Sequence, residues 1–237
     1  MTTPAHVSSL PDFRTHLLLP TAVFLMLLAL TSLSGLDLQL ADHIFTRGGN
    51  SWKWRNAWLT ETVIHAGGRE LVAAMALTLV AGIGASFHPR WQAYRRGLVY
   101  VLVSALLSTL VVNVLKRVTA LDCPWDLARY GGEHAYHSLL AGPFAGNGNC
   151  FPAGHASAGY AWFGLYYFAF HYFPRWRFAG FMTAITLGLV FGIGQQLRGA
   201  HFLTHDLWTA WLCWMCASLL ARHFFRSPNP QEMVITR

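Results

Sequence analysis

Residues 97–115, GLVYVLVSALLSTLVVNVL, contain no Asp, Glu, Lys or Arg and run straight into Lys116-Arg117. A hydrocarbon core is crossed by about 20 mostly apolar residues in a helix. A soluble helix of that length would carry a charged outer stripe, and this one is apolar all round. Five other stretches share the property: between Arg14 and Asp37, and over 71–89, 134–174, 178–197 and 207–221. The pattern predicts an all-α polytopic membrane protein of six transmembrane helices, near 17–36, 71–88, 98–115, 154–173, 179–197 and 204–221. These spans leave no room for a separate soluble domain, so 1–237 is expected as one integral membrane unit with tails at 1–15 and 223–237.

Composition agrees. Charged residues make up 11% of the 237, against about 25% in soluble domains. Hydrophobic residues make up 54%, and mean hydropathy is +0.36. A disordered chain would be polar and charge-rich. The net charge of +7 sits at helix ends rather than in a basic arm, so it points to lipid headgroups and not to nucleic acid. The first span is too long for a signal-peptide core and follows a single basic residue, Arg14, so it is expected as a retained helix.

Orientation follows Lys and Arg in short loops. With the N-terminus inside, nine of them are inner and eight outer. The short loops around Arg90, Arg95 and Arg96 and around Arg175 and Arg177 favour cytoplasmic termini. The segments before residue 71, between spans three and four, and before span six then face the periplasm of a bacterial-type inner membrane. In the first of these, Trp52, Trp54 and Trp58 alternate with Lys53 and Arg55, a composition suited to the membrane interface. A short amphipathic helix is expected there. The second, 116–151, is long and rich in Gly, Pro and Asn. Cys123 and Cys150 lie in it and can pair in an oxidising compartment, a closure worth roughly 3–4 kcal/mol by loop entropy. Cys213 and Cys216 fall within the last span and suit packing.

Three short pieces fall at outer helix ends: Lys116 with Cys123-Pro124; Pro152-Ala153-Gly154-His155; and Arg198-Gly199-Ala200-His201 running on to His205-Asp206. Together they offer histidines, cations, a carboxylate and a helix N-terminus. Phosphoryl transfer uses these groups. Cations and backbone N–H groups stabilise charge on the equatorial oxygens. Gly154 allows close approach at a helix start, where free amides bind anions. One imidazole can attack phosphorus while another protonates the leaving oxygen. A carboxylate can fix the tautomer of the attacking ring. The spacing of His155, His201 and His205 matches no recognised metal-ligand set.

With these residues in place, the sequence resembles the type 2 phosphatidic acid phosphatases, membrane relatives of the vanadium-dependent haloperoxidases. Their pattern is Lys-x6-Arg-Pro, then Pro-Ser-Gly-His, then Ser-Arg-x5-His-x3-Asp. Lys116 and Pro124 match the first motif, with Cys123 in place of its arginine. Pro152, Gly154 and His155 match the second, with Ala153 in place of serine. His201 matches the nucleophile of the third; Gln195 stands for its arginine and His205 for its aspartate, with Asp206 one place later. The resemblance implies a lipid phosphatase working at the outer face without a cofactor or metal, on a lipid-linked phosphate or diphosphate. It implies His201 as nucleophile and His155 as acid and base. Asp206 is the expected orienting residue, with His205, Asp122 or Asp126 as alternatives. Lys116, Arg198, Ala153 and Gly154 are expected to hold the phosphate, and Arg117 and Arg129 are candidates to replace the missing arginine. The same chemistry with an acceptor lipid would be a phosphotransferase, and a non-catalytic lipid-binding or transport relative is the remaining alternative.

Overall fold

The computed structural model describes residues 12–137 and 148–226. Helices are the only regular elements among the described residues; an isolated bridge pairs Leu127 with His134. In chain order they are α1 (Leu19–Ser34), α2 (Leu36–Arg47), α3 (Gly67–Ala85), α4 (Arg95–Thr119), α5 (Gly154–Tyr160), α6 (Gly164–Tyr172), α7 (Arg177–Leu197) and α8 (Leu203–Phe224). A π-helical stretch, Trp58–Ala66, leads into α3, and a 3₁₀ turn, Ala161–Phe163, links α5 to α6. Four helical segments are long and apolar enough to cross a membrane: Arg14–Ser34, Trp58–Ala85, Gln92–Asp126 and Pro174–Leu197. Met26, Leu33, Leu77, Leu106 and Phe178 point outward from these helices. Apolar exposure on that scale marks a membrane protein.

Two boundaries differ from the sequence expectation. The second span begins at Trp58 rather than near residue 71, so Glu61, His65 and Arg69 are helical. The short helix between the first two spans is α2, and the tryptophans lie beyond it. Trp52 packs against Phe45 and Tyr130 with ring centroids 5.4 and 5.2 Å away, while Trp58 opens the following span. Most of the expected cytoplasmic tails, 1–11 and 227–237, and part of the 116–151 segment lie outside the described residues.

The core forms where α8 packs on α4 and α5 packs on α7. Tyr100, Val101, Trp162, Phe163, Tyr167 and Trp214 fill it. Two polar tips inside it are satisfied: the Tyr100 hydroxyl donates to the Ala217 carbonyl at 2.8 Å, and Tyr167 pairs with Ser218 at 2.6 Å. Burying such groups without partners would cost several kcal/mol each, of order 2–7. Helices α5 and α7 touch backbone to backbone at Gly159 and Gly188, where any Cβ would collide with the other helix. That contact fixes the start of α5 beside the end of α7, which is where the histidines gather.

Candidate functional site

The turn from α7 to α8 sets the position of His201. Gly199 adopts φ +76°, and a Cβ there would run into the Trp52 indole. The Gly199 carbonyl accepts from the Trp125 N–H at 2.9 Å, and the Ala200 N–H donates back to the Gln195 carbonyl at 2.9 Å. Helix α8 then starts without a side-chain cap of its own. Asp37 of α2 supplies one, accepting the Thr204 N–H at 3.0 Å and its hydroxyl at 2.5 Å. A carboxylate there completes the unpaired first turn.

His201 is buried. Burial first, and then His205, Lys116 and His155 nearby, hold its ring well below the usual histidine range. It is therefore neutral, the form with a free lone pair. The backbone carbonyl of Cys150 lies against both His201 and His205, whose ring centroids are 5.7 Å apart. Cys150 is bonded to Cys123.

Lys116, near the end of α4, reaches across to the start of α5. Its Nζ lies 3.3 Å from where a Cβ on Gly154 would sit, so glycine there leaves room for the ammonium and for an anion beside it. Ala153 does not offer its amide. It is fully buried, and its N–H donates to Thr209 Oγ1 at 2.9 Å. The free first-turn amides are those from Gly154 onward.

The other expected residues separate into those near this cluster and those held elsewhere. Arg198 is near: it pairs with Glu61, and its Nε donates to the Arg55 carbonyl at 2.9 Å. Arg129 is elsewhere, gripping Asp42 through two bonds of 2.7 and 2.6 Å, with Tyr130 on the same carboxylate. Arg117 is exposed. Asp122 bonds His134 at 2.8 Å. Asp206 is engaged on α7: its carboxylate accepts from Gln196 and rests on Gly192. Among the described residues no carboxylate is bonded to His201. Cys213 is buried in the core.

A group absent from the sequence expectation stands beside His155. The His65 ring lies 4.2 Å from the His155 ring, centroid to centroid. His65 Nδ1 is 3.3 Å from Glu61 Oε1, and the other oxygen of Glu61 takes Arg198. Arg69 is one further turn along the helix and within electrostatic range of both Glu61 and His155. The signal was legible as Glu61-x3-His65-x3-Arg69, a spacing that puts three polar residues on one helical face. Beside His205 a cavity of about 230 Å³ opens, lined by Asp37, Asp122, His137, Phe202 and Thr204 among others.

What this arrangement can do is hold a phosphoryl group between cations and amides, with a neutral imidazole below it. The comparisons point the same way. No curated protein matches the chain, and no solved structure does. The profile of the PAP2 superfamily matches residues 97–228, from the first turn of α4 to just beyond α8. That stretch is more than half of the sequence and contains Lys116, His155, Arg198 and His201. Members of the superfamily are generally phosphatases, and the chain belongs to the PAP2 superfamily.

Proposed function

We propose that this protein is an integral membrane phosphatase hydrolysing a lipid-linked phosphate or diphosphate at the outer face of a bacterial-type inner membrane. The observation that carries the proposal is the convergence of buried, neutral His201 with Lys116, Gly154 and His155 at one end of the bundle. In this reading α5–α6 and α8 complete six spans, and both termini are cytoplasmic.

A ring nitrogen of His201 attacks phosphorus in line, forming the P–N bond as the P–O bond to the lipid breaks. His155 gives its proton to the departing oxygen. Water then attacks the phosphohistidine; His155 takes the water's proton, the P–N bond breaks, and phosphate leaves with His201 restored. Lys116, Arg198 and the amides from Gly154 onward stabilise the equatorial oxygens. The Cys150 carbonyl, held by the disulfide, orients the His201 ring in place of the family's aspartate, an alternative that carbonyls commonly provide. The cavity beside His205 receives the rest of the headgroup.

The test is phosphate release by purified protein from phosphatidic acid, phosphatidylglycerophosphate, a polyprenyl diphosphate and a lipid A phosphate. Wild type releases phosphate from at least one without an added acceptor lipid. His201→Ala and His155→Ala lose that release while keeping the thermal midpoint. Undiminished turnover by His201→Ala would refute the assignment. Release that required an acceptor lipid would make the protein a phosphotransferase.

A further inference from the structure

The three motif segments leave one cluster unused: Glu61, His65 and Arg69, on the helix that precedes the residues matched by the superfamily profile. Glu61 is bonded at both oxygens, one to His65 and one to Arg198. The His65 ring in turn packs against the His155 ring, tilted by 51° with centroids 4.2 Å apart. One carboxylate therefore links a phosphate-facing cation to the residue proposed as general acid. The charged and titratable groups facing His155 are His65 and Arg69 from this helix, Lys116 from α4, Arg198 at the end of α7 and His201 before α8. Glu61 is the one carboxylate bonded within that set among the described residues.

The geometry points to His65 as a positioning residue for His155, held in place by Glu61. The inference rests on the phosphatase reading above. His155 must carry a proton while surrounded by Lys116, Arg69 and Arg198, and each of those cations opposes it. It must also present that proton toward the leaving oxygen. A neighbouring imidazole anchored at Nδ1 fixes the plane against which His155 packs, and the Glu61 charge offsets part of the surrounding cationic field. Glu61 ties Arg198 to the same unit, so the cation that grips the phosphate and the acid that protonates the ester move together. His65 itself touches no substrate, so its effect falls on protonation of the leaving group and not on the attack by His201.

That separation gives the test. An alkoxide leaves poorly without a proton, whereas a nitrophenolate leaves without one. Phosphate release is measured for wild type, His65→Phe, Glu61→Gln and Glu61→Asp on the lipid phosphate that wild type turns over best in the screen above and on p-nitrophenyl phosphate, both in detergent. Thermal midpoints are recorded for each. His65→Phe and Glu61→Gln lower kcat on the alkyl ester about 10- to 100-fold, the range that outer partners of metal-bound histidines show. The kcat of His65→Phe on the aryl ester stays within about threefold; Glu61→Gln, which also loosens Arg198, loses activity on both esters but more on the alkyl one, and Glu61→Asp recovers most of the alkyl activity. Equal losses on both esters, or no loss on either, overturn the inference while leaving the phosphatase assignment intact. Wild type that releases phosphate from none of the screened lipids overturns that assignment, and the inference falls with it.

Discussion

Asp206 offers a decisive perturbation, because sequence pattern and structure give it different roles. One place from the family's aspartate, it would be expected to orient His201. Its carboxylate instead accepts from Gln196 and lies over Gly192, where a Cβ would come within 2.7 Å of Oδ2, 2.8 Å of Cγ and 2.9 Å of Oδ1. The side chain thus fits into the α7 surface and clamps α8 to it. Replacement by alanine removes a bond to a charged group, worth about 1.5–3 kcal/mol. In a chain of this size each kcal/mol moves the midpoint by roughly 2–4 °C, so Asp206→Ala melts about 3–12 °C lower. Turnover of the folded fraction stays within about threefold, since nothing that holds His201 has been lost. Gly192→Ala supplies the complementary test. In wild type the new methyl displaces the carboxylate and costs about 1–3 kcal/mol. In the Asp206→Ala background the obstacle is gone, and the same substitution becomes neutral or stabilising by up to about 1 kcal/mol, the usual helical preference for alanine. Thermal unfolding followed by tryptophan fluorescence and phosphate release below the midpoint read the two effects separately. A 100-fold loss of turnover in Asp206→Ala at an unchanged midpoint would refute this reasoning and restore the orienting role.

Because burial holds His201 below its ordinary value of 6.5, the acid limb of kcat/KM for phosphate release falls below pH 6.5. The same depression acts on stability: between 6.5 and the folded value the unfolded chain binds a proton that the folded chain refuses, so this contribution is present above pH 6.5 and lost on acidification. A kcat/KM profile with its acid limb at or above 6.5 would contradict a buried neutral nucleophile. Asp37→Ala removes the cap that α2 lends to α8 and lowers stability by about 1–2 kcal/mol, whereas Asp37→Asn, which keeps an acceptor, costs less; equal midpoints for the two would remove the capping account.

Four of the six expected membrane helices were legible because charge is absent over whole spans, a signal that needs no knowledge of packing. His155, His201 and Lys116 were legible because each sits in a short motif at a helix end. The start of the second span was not, for a physical reason. Glu61, Arg69 and Glu70 interrupt the apolar run, and a hydropathy reading puts such residues outside the helix. Here the helix includes them because Glu61 has His65 and Arg198 as partners and because this end of the bundle surrounds the polar site. The direction of Asp206 was hidden for another reason. Which side of α8 faces α7 depends on the close approach of helices through small residues such as Gly192, and that rotation is a property of two helices together. The commitment of Arg129 to Asp42 and of Ala153 N–H to Thr209 likewise depends on segments 87 and 56 residues apart in sequence.

The charge count at the site ties these observations to function. Around His155 stand Lys116, Arg69 and Arg198, with the Glu61 carboxylate among them. Three cations against one carboxylate leave a surplus of two, close to the roughly 1.5–2 negative charges of a phosphate monoester near neutral pH. Without Glu61 the resting site would hold an uncompensated cationic group in a partly buried setting, which costs stability and opposes protonation of His155. With it, Arg198 is already desolvated and held in place before substrate arrives, so less ordering remains to be done on binding. The motif residues come from the segment matched by the superfamily profile, whereas the balancing carboxylate and its histidine come from the helix before it. Substitutions on that helix can therefore retune how strongly turnover depends on the leaving group while every motif residue stays as it is.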